Sequence, residues 1–294
     1  MKHKAGFVNI VGNPNVGKST LMNQLVGERI SIATFKAQTT RHRIMGIVNT
    51  DDMQIVFSDT PGVLKPNYKL QESMLAFSES ALADADVLLY VTDVVENPEK
   101  NMDFLEKVQK MTIPVLLLIN KIDESDQKQL GDIVEKWHSL LPNAEILPIS
   151  AKNKFGVDIL MKRIKDLLPE SPAFFDKDQL TDKPARFFVS EIIREKILLY
   201  YDKEVPYSVE VVVERFKEDD RQIHINAVIY VERDSQKGII IGHQGTALKK
   251  VSTEARKTLE KFFDKHIYLE IFVKVDKDWR SSKKELDNFG YNPD

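Results

Sequence analysis

The first half of the chain alternates short apolar runs with longer amphipathic stretches. The apolar runs predict strands over residues 7–11, 54–57, 87–91, 115–119 and 145–149. Apolar positions at helical spacing predict helices over residues 20–26, 71–82, 102–110, 129–141 and 157–168. Several of the strands are apolar almost throughout, which is typical of a parallel sheet covered on both faces. The pattern therefore predicts an α/β domain with a mostly parallel sheet and helices on both faces.

The pattern of hydrophobic and polar residues changes near residue 170. Three prolines between residues 169 and 184, with scattered charges and no period, predict a linker over 171–184. The later elements are predicted as a helix over 189–200, strands over 208–215 and 222–231, a helical turn before Gly242, a helix over 246–263 and a strand over 266–275. The order α-β-β-α-α-β predicts a smaller α+β domain. We therefore expect domains over 1–170 and 185–280 and a C-terminal tail over 281–294.

Length and composition limit the functional classes. With 294 residues, 42% of them hydrophobic, the chain is long enough for two packed domains. The absence of cysteine fits a reducing cytoplasm, and no apolar stretch approaches the roughly 18 residues of a membrane span. The net charge of −3 means that any nucleic-acid binding needs a local basic patch. We expect a cytoplasmic monomer.

Residues 12–19 fit the phosphate-binding pattern G-x-x-x-x-G-K-[ST] between a predicted strand and a predicted helix. They are Gly12, Asn13, Pro14, Asn15, Val16, Gly17, Lys18 and Ser19, followed by Thr20. Glycines let backbone N–H groups wrap around phosphate oxygens, and the helix N-terminus faces the anion. Lys18 would add positive charge at the β- and γ-phosphates, and the Ser19 hydroxyl would bind Mg²⁺. This motif predicts nucleotide binding without distinguishing ATP from GTP.

A second polar motif follows the second predicted strand and consists of Asp59, Thr60, Pro61 and Gly62. An acid just past a strand can hold Mg²⁺ through water, and the Gly62 N–H can contact a γ-phosphate. The same four residues are also common in ordinary turns. Their position about 40 residues after the phosphate loop favours the nucleotide role.

Two further motifs follow the fourth and fifth predicted strands: Asn120, Lys121 and Asp123, then Ser150, Ala151 and Lys152. The Asp123 carboxylate can accept hydrogen bonds from the N1–H and 2-amino groups of guanine, whereas adenine would leave it unpaired. Asn120 would brace the loop, Lys121 would cover the base, and the 150–152 segment would present a backbone N–H to guanine O6. All four motifs lie at carboxyl ends of strands, where open α/β sheets bind ligands. The predicted ligand is therefore GTP or GDP.

These motifs resemble those of the translation-factor-type GTPases. The resemblance implies that a threonine in the segment 36–43 closes over Mg²⁺, and the T-R pattern favours Thr40, with Thr39 as the alternative. The implied Mg²⁺ ligands are Ser19, Thr40 and Asp59, and catalytic contributions are expected from Lys18, Thr40, Gly62 and Asn15.

One position departs from the Ras-like pattern. Where those proteins carry a glutamine that orients the attacking water, this chain has Val63, so we expect slow intrinsic hydrolysis. Asn15 would help to bind K⁺ as an additional ion, because an asparagine has this role in some relatives. The alternative is that Asn15 only forms hydrogen bonds within the loop.

A G-x-x-G turn joins two predicted helices in the second half and comprises Ile241, Gly242, His243, Gln244 and Gly245. Such a turn can approach a nucleic-acid backbone closely, but it also joins helices in other folds. The element order and a following basic helix with Lys249 and Lys250 favour RNA binding, whereas acids in that helix leave a solvated face as the alternative. Together these features resemble a type II KH domain. The aromatic residues near the first helix of this half are expected in the core: Phe187, Phe188, Tyr200 and Tyr201.

The whole chain resembles the bacterial Era GTPase family. The resemblance includes the segments 36–43, 191–196 and 206–209, of which the last two are not expected in a generic GTPase or KH domain. It implies a GTP-driven switch that binds the 3′ end of small-subunit (16S) ribosomal RNA and assists maturation of the small ribosomal subunit. It also implies a cytoplasmic protein with a peripheral membrane fraction. A GTPase acting on another RNA or subunit, and a slow nucleotide sensor that only binds, are the alternatives.

Overall fold

The computed structural model describes residues 3–292, which form two compact units, one mainly from residues 3–182 and the other mainly from 183–292. Residues 1–2 and 293–294, at the outer ends of the first predicted domain and the predicted tail, lie outside the described residues.

The first unit contains a six-stranded sheet in the order β2-β3-β1-β4-β5-β6. Its strands are β1 (Lys4–Gly12), β2 (Ile44–Asn49), β3 (Met53–Asp59), β4 (Val87–Asp93), β5 (Val115–Asn120) and β6 (Glu145–Pro148). All neighbouring pairs are parallel except β2 with β3. Strands β3 and β4 are buried at every position, as expected for strands covered on both faces.

Five helices flank this sheet: α1 (Lys18–Val26), α2 (Lys69–Ala83), α3 (Met102–Gln109), α4 (Gln127–Leu140) and α5 (Val157–Leu167). Residues of α2, α3 and α4 share one apolar cluster with β4 and β5, and α1 contacts α5. Helix α4 begins with a side-chain cap, because the Asp126 side chain accepts from the Gln129 N–H at 2.8 Å. The mostly parallel α/β architecture predicted from the sequence is confirmed.

Strand β2 is the element of this sheet that the apolar runs did not predict. It pairs antiparallel with β3, and its outer edge is lined by part of the segment predicted as a linker. The Ile47 N–H donates to the Leu180 carbonyl at 2.8 Å, and Thr181 forms an antiparallel bridge with Gly46. The segment 174–181 is therefore hydrogen-bonded along the first unit.

The second unit begins with α6 (Ala185–Tyr200) and contains a three-stranded sheet in the order β7-β8-β9. The other elements are β7 (Glu210–Glu218), β8 (Gln222–Val231), α7 (Asp234–Ile241), α8 (Thr246–Phe263), β9 (His266–Val275) and α9 (Lys283–Asn288). Strand β8 is antiparallel to β7 and parallel to β9. The α-β-β-α-α-β order predicted from the sequence is confirmed, and α9 is an additional helix.

The core of this unit lies between one face of the sheet and helices α6, α7 and α8. The segment predicted as a tail is also packed here, because the buried Tyr291 donates from its hydroxyl to the Glu210 carboxylate at 2.6 Å. Trp279, which follows β9, is fully buried, and its indole N–H donates to the Ser208 carbonyl at 3.0 Å.

Candidate functional site

The phosphate loop runs from the end of β1 to the start of α1, and its two glycines have positive φ angles, 147° at Gly12 and 95° at Gly17. A Cβ at Gly12 would lie 2.1 Å from the Val91 carbonyl oxygen on the neighbouring strand β4. A Cβ at Gly17 would lie 2.3 Å from the Asn120 side-chain nitrogen. Glycine is required at both positions because other residues would collide and be strained.

Lys18 lies inside this loop with its side chain almost fully buried. Its Nζ donates to the Gly12 carbonyl at 3.0 Å and to the Asn13 carbonyl at 2.8 Å. Burial lowers the pKa of Lys18 to about 8, although the nearby Asp59 carboxylate opposes the shift. The ammonium is thus held at the mouth of the loop, where an anionic phosphate would favour its charged form.

Three side-chain oxygens converge at the start of α1. The Ser19 hydroxyl donates to Asp59 Oδ2 at 2.7 Å and lies 2.8 Å from Thr40 Oγ1, which itself donates to Asp59 Oδ2 at 3.3 Å. Burial raises the pKa of Asp59, and Lys18 and the Ser19 hydroxyl oppose the shift. Two hydroxyls beside a buried carboxylate form an oxygen donor set of the kind that Mg²⁺ prefers. The residues predicted as Mg²⁺ ligands therefore fit that ion.

Thr39, the alternative to Thr40 as a Mg²⁺ ligand, hydrogen-bonds within its own segment. Thr39 Oγ1 donates to the Lys36 carbonyl at 2.6 Å and lies 2.7 Å from Thr34 Oγ1. The structure thus places Thr40, and not Thr39, beside Asp59.

The segment after Asp59 packs directly onto the phosphate loop. Thr60 Oγ1 donates to the Ile10 carbonyl at 2.8 Å, and the Pro61 carbonyl accepts from the Ser78 hydroxyl at 2.9 Å. A Cβ at Gly62 would meet Pro14 at 2.7 Å. Val63 is 3% exposed and belongs to the apolar cluster beneath the sheet. Its side chain is therefore turned into the core and unavailable to orient a water molecule.

The loops that the sequence predicts to recognise the base follow β5 and β6. Asn120 braces them, because its Nδ2 donates to the Val16 carbonyl at 2.8 Å and its Oδ1 accepts from the Ala151 N–H at 2.9 Å. The Ser150 hydroxyl donates to Asp123 Oδ1 at 2.5 Å and thereby lowers the pKa of Asp123. Asp123 is exposed and ionised, as a carboxylate that accepts from guanine must be.

Lys121 ties the base loop to the phosphate loop. Its Nζ donates to the Asn15 carbonyl at 2.7 Å and to Asp93 Oδ2 at 2.6 Å. Asn15 has a φ of 67° and is exposed, and Lys152 is exposed beyond Ala151. A cavity of about 320 Å³ lies between the loops, and its lining includes Pro14, Asn15, Lys18, Ser19, Thr20, Thr40, Gly62 and Lys121.

In the second unit, the G-x-x-G turn joins α7 to α8. The Gly245 N–H donates to the Gly242 carbonyl at 3.1 Å, and both glycines have positive φ. A Cβ at Gly242 would lie 2.6 Å from the Ala247 Cβ, whereas a Cβ at Gly245 would meet nothing within 4 Å. His243 and Gln244 are exposed at the tip, and Ile241 is half-buried. The backbone around Gly245 is therefore open to a ligand.

Exposed lysines follow the turn on α8. Lys249 and Lys250 are both exposed, and the Lys250 ammonium lies 4.3 Å from the centre of the Tyr200 ring. Tyr200 is itself 39% exposed, so its expected place in the core was wrong, whereas Phe188 and Tyr201 are buried. Further along α8, two basic residues are paired with acids of the same helix: Arg256 with Glu260 and Lys257 with Glu254.

Comparisons with known proteins found matches to both units of the chain. Residues 7–121 match the family model for a 50S ribosome-binding GTPase, and residues 204–280 match that for a KH domain. The chain is 44% identical to the GTPase Era of Clostridium kluyveri over 290 residues, which covers 98% of this chain and 99% of the relative. It belongs to the Era GTPase family.

Two solved Era structures resemble this family member over its whole length. One is a crystal structure of Era in complex with MgGDPNP and nucleotides 1506–1542 of 16S ribosomal RNA. The other is an Aquifex aeolicus Era variant bound to GDP and AlF₄⁻. Each has a TM-score of 0.94 and 38% identity, and each match covers 99% of this chain and 100% of the other.

As an Era-family member, the protein is a GTPase with a C-terminal KH domain, as the sequence predicted. Within the part of the chain that the structure describes, no helix combines the length and the apolar character needed to cross a membrane. Two polar residues beside the phosphate loop escaped the sequence-based prediction, Glu96 and Asn101. No local motif marks them, because they reach the loop from the segment after β4.

Proposed function

We propose that the protein is a Mg²⁺-dependent GTPase switch that binds the 3′ region of 16S ribosomal RNA through its KH domain and assists maturation of the small ribosomal subunit. The observation that carries this proposal is the whole-length likeness to an Era structure that holds both a GTP analogue and that RNA. The domains would be the two observed units, the first binding nucleotide and the second binding RNA.

In the proposed nucleotide complex, the phosphates occupy the loop 12–19, and Lys18 neutralises charge that develops on the β- and γ-phosphates. Ser19, Thr40 and Asp59 would hold Mg²⁺, directly or through water, and this ion would neutralise the phosphate oxygens when bound. The Gly62 N–H would donate to the γ-phosphate. Thr40 and Gly62 thus sense whether GTP or GDP is present.

The guanine base would lie against Asp123, with Lys121 covering it and the Ser150–Lys152 loop supplying an N–H to O6. Because the Ala151 N–H already donates to Asn120, this loop is held in place before any base binds. A preorganised loop reduces the entropy that binding has to overcome.

For the RNA, we propose that residues 241–245 approach the phosphate backbone and that Lys249 and Lys250 add positive charge. The open space beside Gly245 and the exposed His243 and Gln244 support close backbone approach. Tyr200, whose ring lies next to the Lys250 ammonium, adds a partly exposed aromatic residue that could contact a base.

The RNA part is tested by binding of a single-stranded probe with the sequence of the 16S 3′ terminus. A His243→Asp, Gln244→Asp double variant would repel phosphate at the turn, and we expect its RNA affinity to fall at least about tenfold. GDP affinity should be unchanged in the same variant, which serves as the control for folding. Equal RNA affinity of the wild type and the double variant would contradict this RNA site. Equally tight binding of unrelated RNA by the wild type would contradict the assignment to this RNA.

A slow nucleotide sensor is the second candidate, and the burial of Val63 in the core favours it.

For hydrolysis, we propose that K⁺ held near Asn15 supplies additional positive charge at the phosphates. Single-turnover hydrolysis in KCl should then exceed that in NaCl, and Asn15→Ala should remove the difference. Equal rates in both salts would contradict the role of K⁺, and no turnover with or without RNA would favour the sensor.

We also propose a cytoplasmic location with a peripheral membrane fraction, as the family resemblance implies. Co-sedimentation with vesicles that contain anionic lipid tests this at physiological salt. The pairing of Arg256 and Lys257 with acids on α8 predicts that any such binding is weak.

A further inference from the structure

Asn101 connects two parts of the nucleotide site without lining its cavity. It ends a 3₁₀ turn over Pro98–Asn101, directly before α3. Its Nδ2 group donates to Asn13 Oδ1 at 2.5 Å and to the Val63 carbonyl at 2.9 Å. Both amide hydrogens are therefore used, one on the phosphate loop and one on the segment that follows Gly62.

The backbone of Val63 is held through both its N–H and its carbonyl group. Its N–H donates to the Gly12 carbonyl at 3.1 Å, and its carbonyl accepts from Asn101. Its side chain is anchored in the apolar core. Because Gly62 precedes this fixed residue, the direction of the Gly62 N–H depends on where Val63 is held.

Asn13, the phosphate-loop partner of Asn101, is also held by hydrogen bonds. Its side chain is buried, and its amide hydrogen-bonds to the Glu96 carboxylate while its Oδ1 accepts from Asn101. The Thr92 hydroxyl donates to Glu96 at 2.8 Å and orients that carboxylate. The result is a chain of hydrogen bonds from the end of β4 through the phosphate loop to Val63.

We infer that Asn101 is a positioning residue for GTP hydrolysis, which holds the phosphate loop and the backbone of Val63, next to Gly62, in a fixed relation. The inference rests on the proposed GTP site. Asn101 acts through Gly62 and Asn13. A positioning group of this kind affects the transition state more than ground-state binding, since small displacements of a donor are costly in the reaction step.

The test compares steady-state GTP hydrolysis and nucleotide affinity in the full chain. For Asn101→Ala we expect kcat to fall about tenfold while KM for GTP and Kd for GDP change less than about threefold. Asn101→Asp has the same shape but cannot donate, and we expect a loss of at least the same size. Asn97→Ala is the matched control, because Asn97 directly precedes the same turn and its side chain accepts from the Glu99 N–H.

The outcomes separate the inference from the proposed function. Unchanged kcat in both Asn101 variants, or an equal loss in Asn97→Ala, overturns the positioning role. A loss of nucleotide affinity that matches the loss of kcat also overturns it, since that result indicates a structural role only. If the wild-type protein neither binds nor hydrolyses GTP, the proposed function itself fails.

Discussion

The Asn120 side chain holds the Val16 carbonyl at 2.8 Å and thus joins the base-recognition loop to the phosphate loop. Both residues are buried, and they are 104 positions apart in sequence. The same side chain accepts from the Ala151 N–H, so three loops share one amide group. At the proposed nucleotide site, we therefore expect binding of the base and binding of the phosphates to be coupled through Asn120.

We predict that Asn120→Ala weakens GDP and GTP binding about 10- to 100-fold, because it leaves buried donors and acceptors unpaired at a cost of about 1–3 kcal/mol. Titration with a fluorescent GDP analogue measures the change. Asn143→Ala, at an exposed asparagine, should bind like the wild type. Full affinity in Asn120→Ala would show that the loops hold together without this group.

A second prediction concerns pH. The Ser150 hydroxyl lowers the pKa of Asp123, and guanine needs the ionised carboxylate, so binding is present above that pKa and is lost as the pH falls through it. Ser150→Ala should move the loss of GDP binding to higher pH. GDP titrations across the acid range measure the shift, and Ser139→Ala is the control at an exposed serine. Identical pH profiles would contradict the role of this hydrogen bond.

A third prediction tests the segment beside β2. Gln54 is fully buried; its Nε2 donates to the Phe175 carbonyl, and its Oε1 accepts from the Phe174 and Phe175 N–H groups. Gln54→Ala should reduce the free energy of unfolding by about 1–3 kcal/mol. It should also speed proteolysis within 171–182, whereas exposed Gln127→Ala should do neither. Unchanged proteolysis would show that other contacts hold the segment.

The fourth prediction concerns the second unit. The Arg194 guanidinium is 1% exposed and makes two hydrogen bonds of 2.7 Å to the Glu191 carboxylate. Arg194→Ala leaves that carboxylate buried without its cation and should destabilise the protein by about 3–5 kcal/mol. Arg256→Ala, which breaks a surface pair with Glu260, should cost no more than about 1 kcal/mol. Denaturant unfolding measures the loss of unfolding free energy in both variants. Equal losses in Arg194→Ala and Arg256→Ala would contradict the importance of burial.

Most elements were predictable from the sequence because their patterns are local. Buried parallel strands such as β4 are continuous apolar runs, and helices such as α8 repeat their apolar positions at helical spacing. Strand β2 was missed because Gly46 interrupts its apolar run. It is stabilised by pairing with β3 and with residues more than 130 positions later, which no local window includes.

In the candidate site, too, local motifs were predictable from the sequence and contacts between distant segments were not. The sequence by itself determined the phosphate-loop motif, the 120–123 motif with Asp123 as the predicted guanine acceptor, and the G-x-x-G turn, because each is a contiguous set of residues whose predicted chemistry depends on type and spacing. Only the tertiary structure decided that Thr40 rather than Thr39 meets Asp59, that Val63 is buried, and that Asn101 reaches the phosphate loop. Those facts depend on strand register and on side-chain packing between distant segments, such as the pairing of Ile10 with Asp59 across β1 and β3.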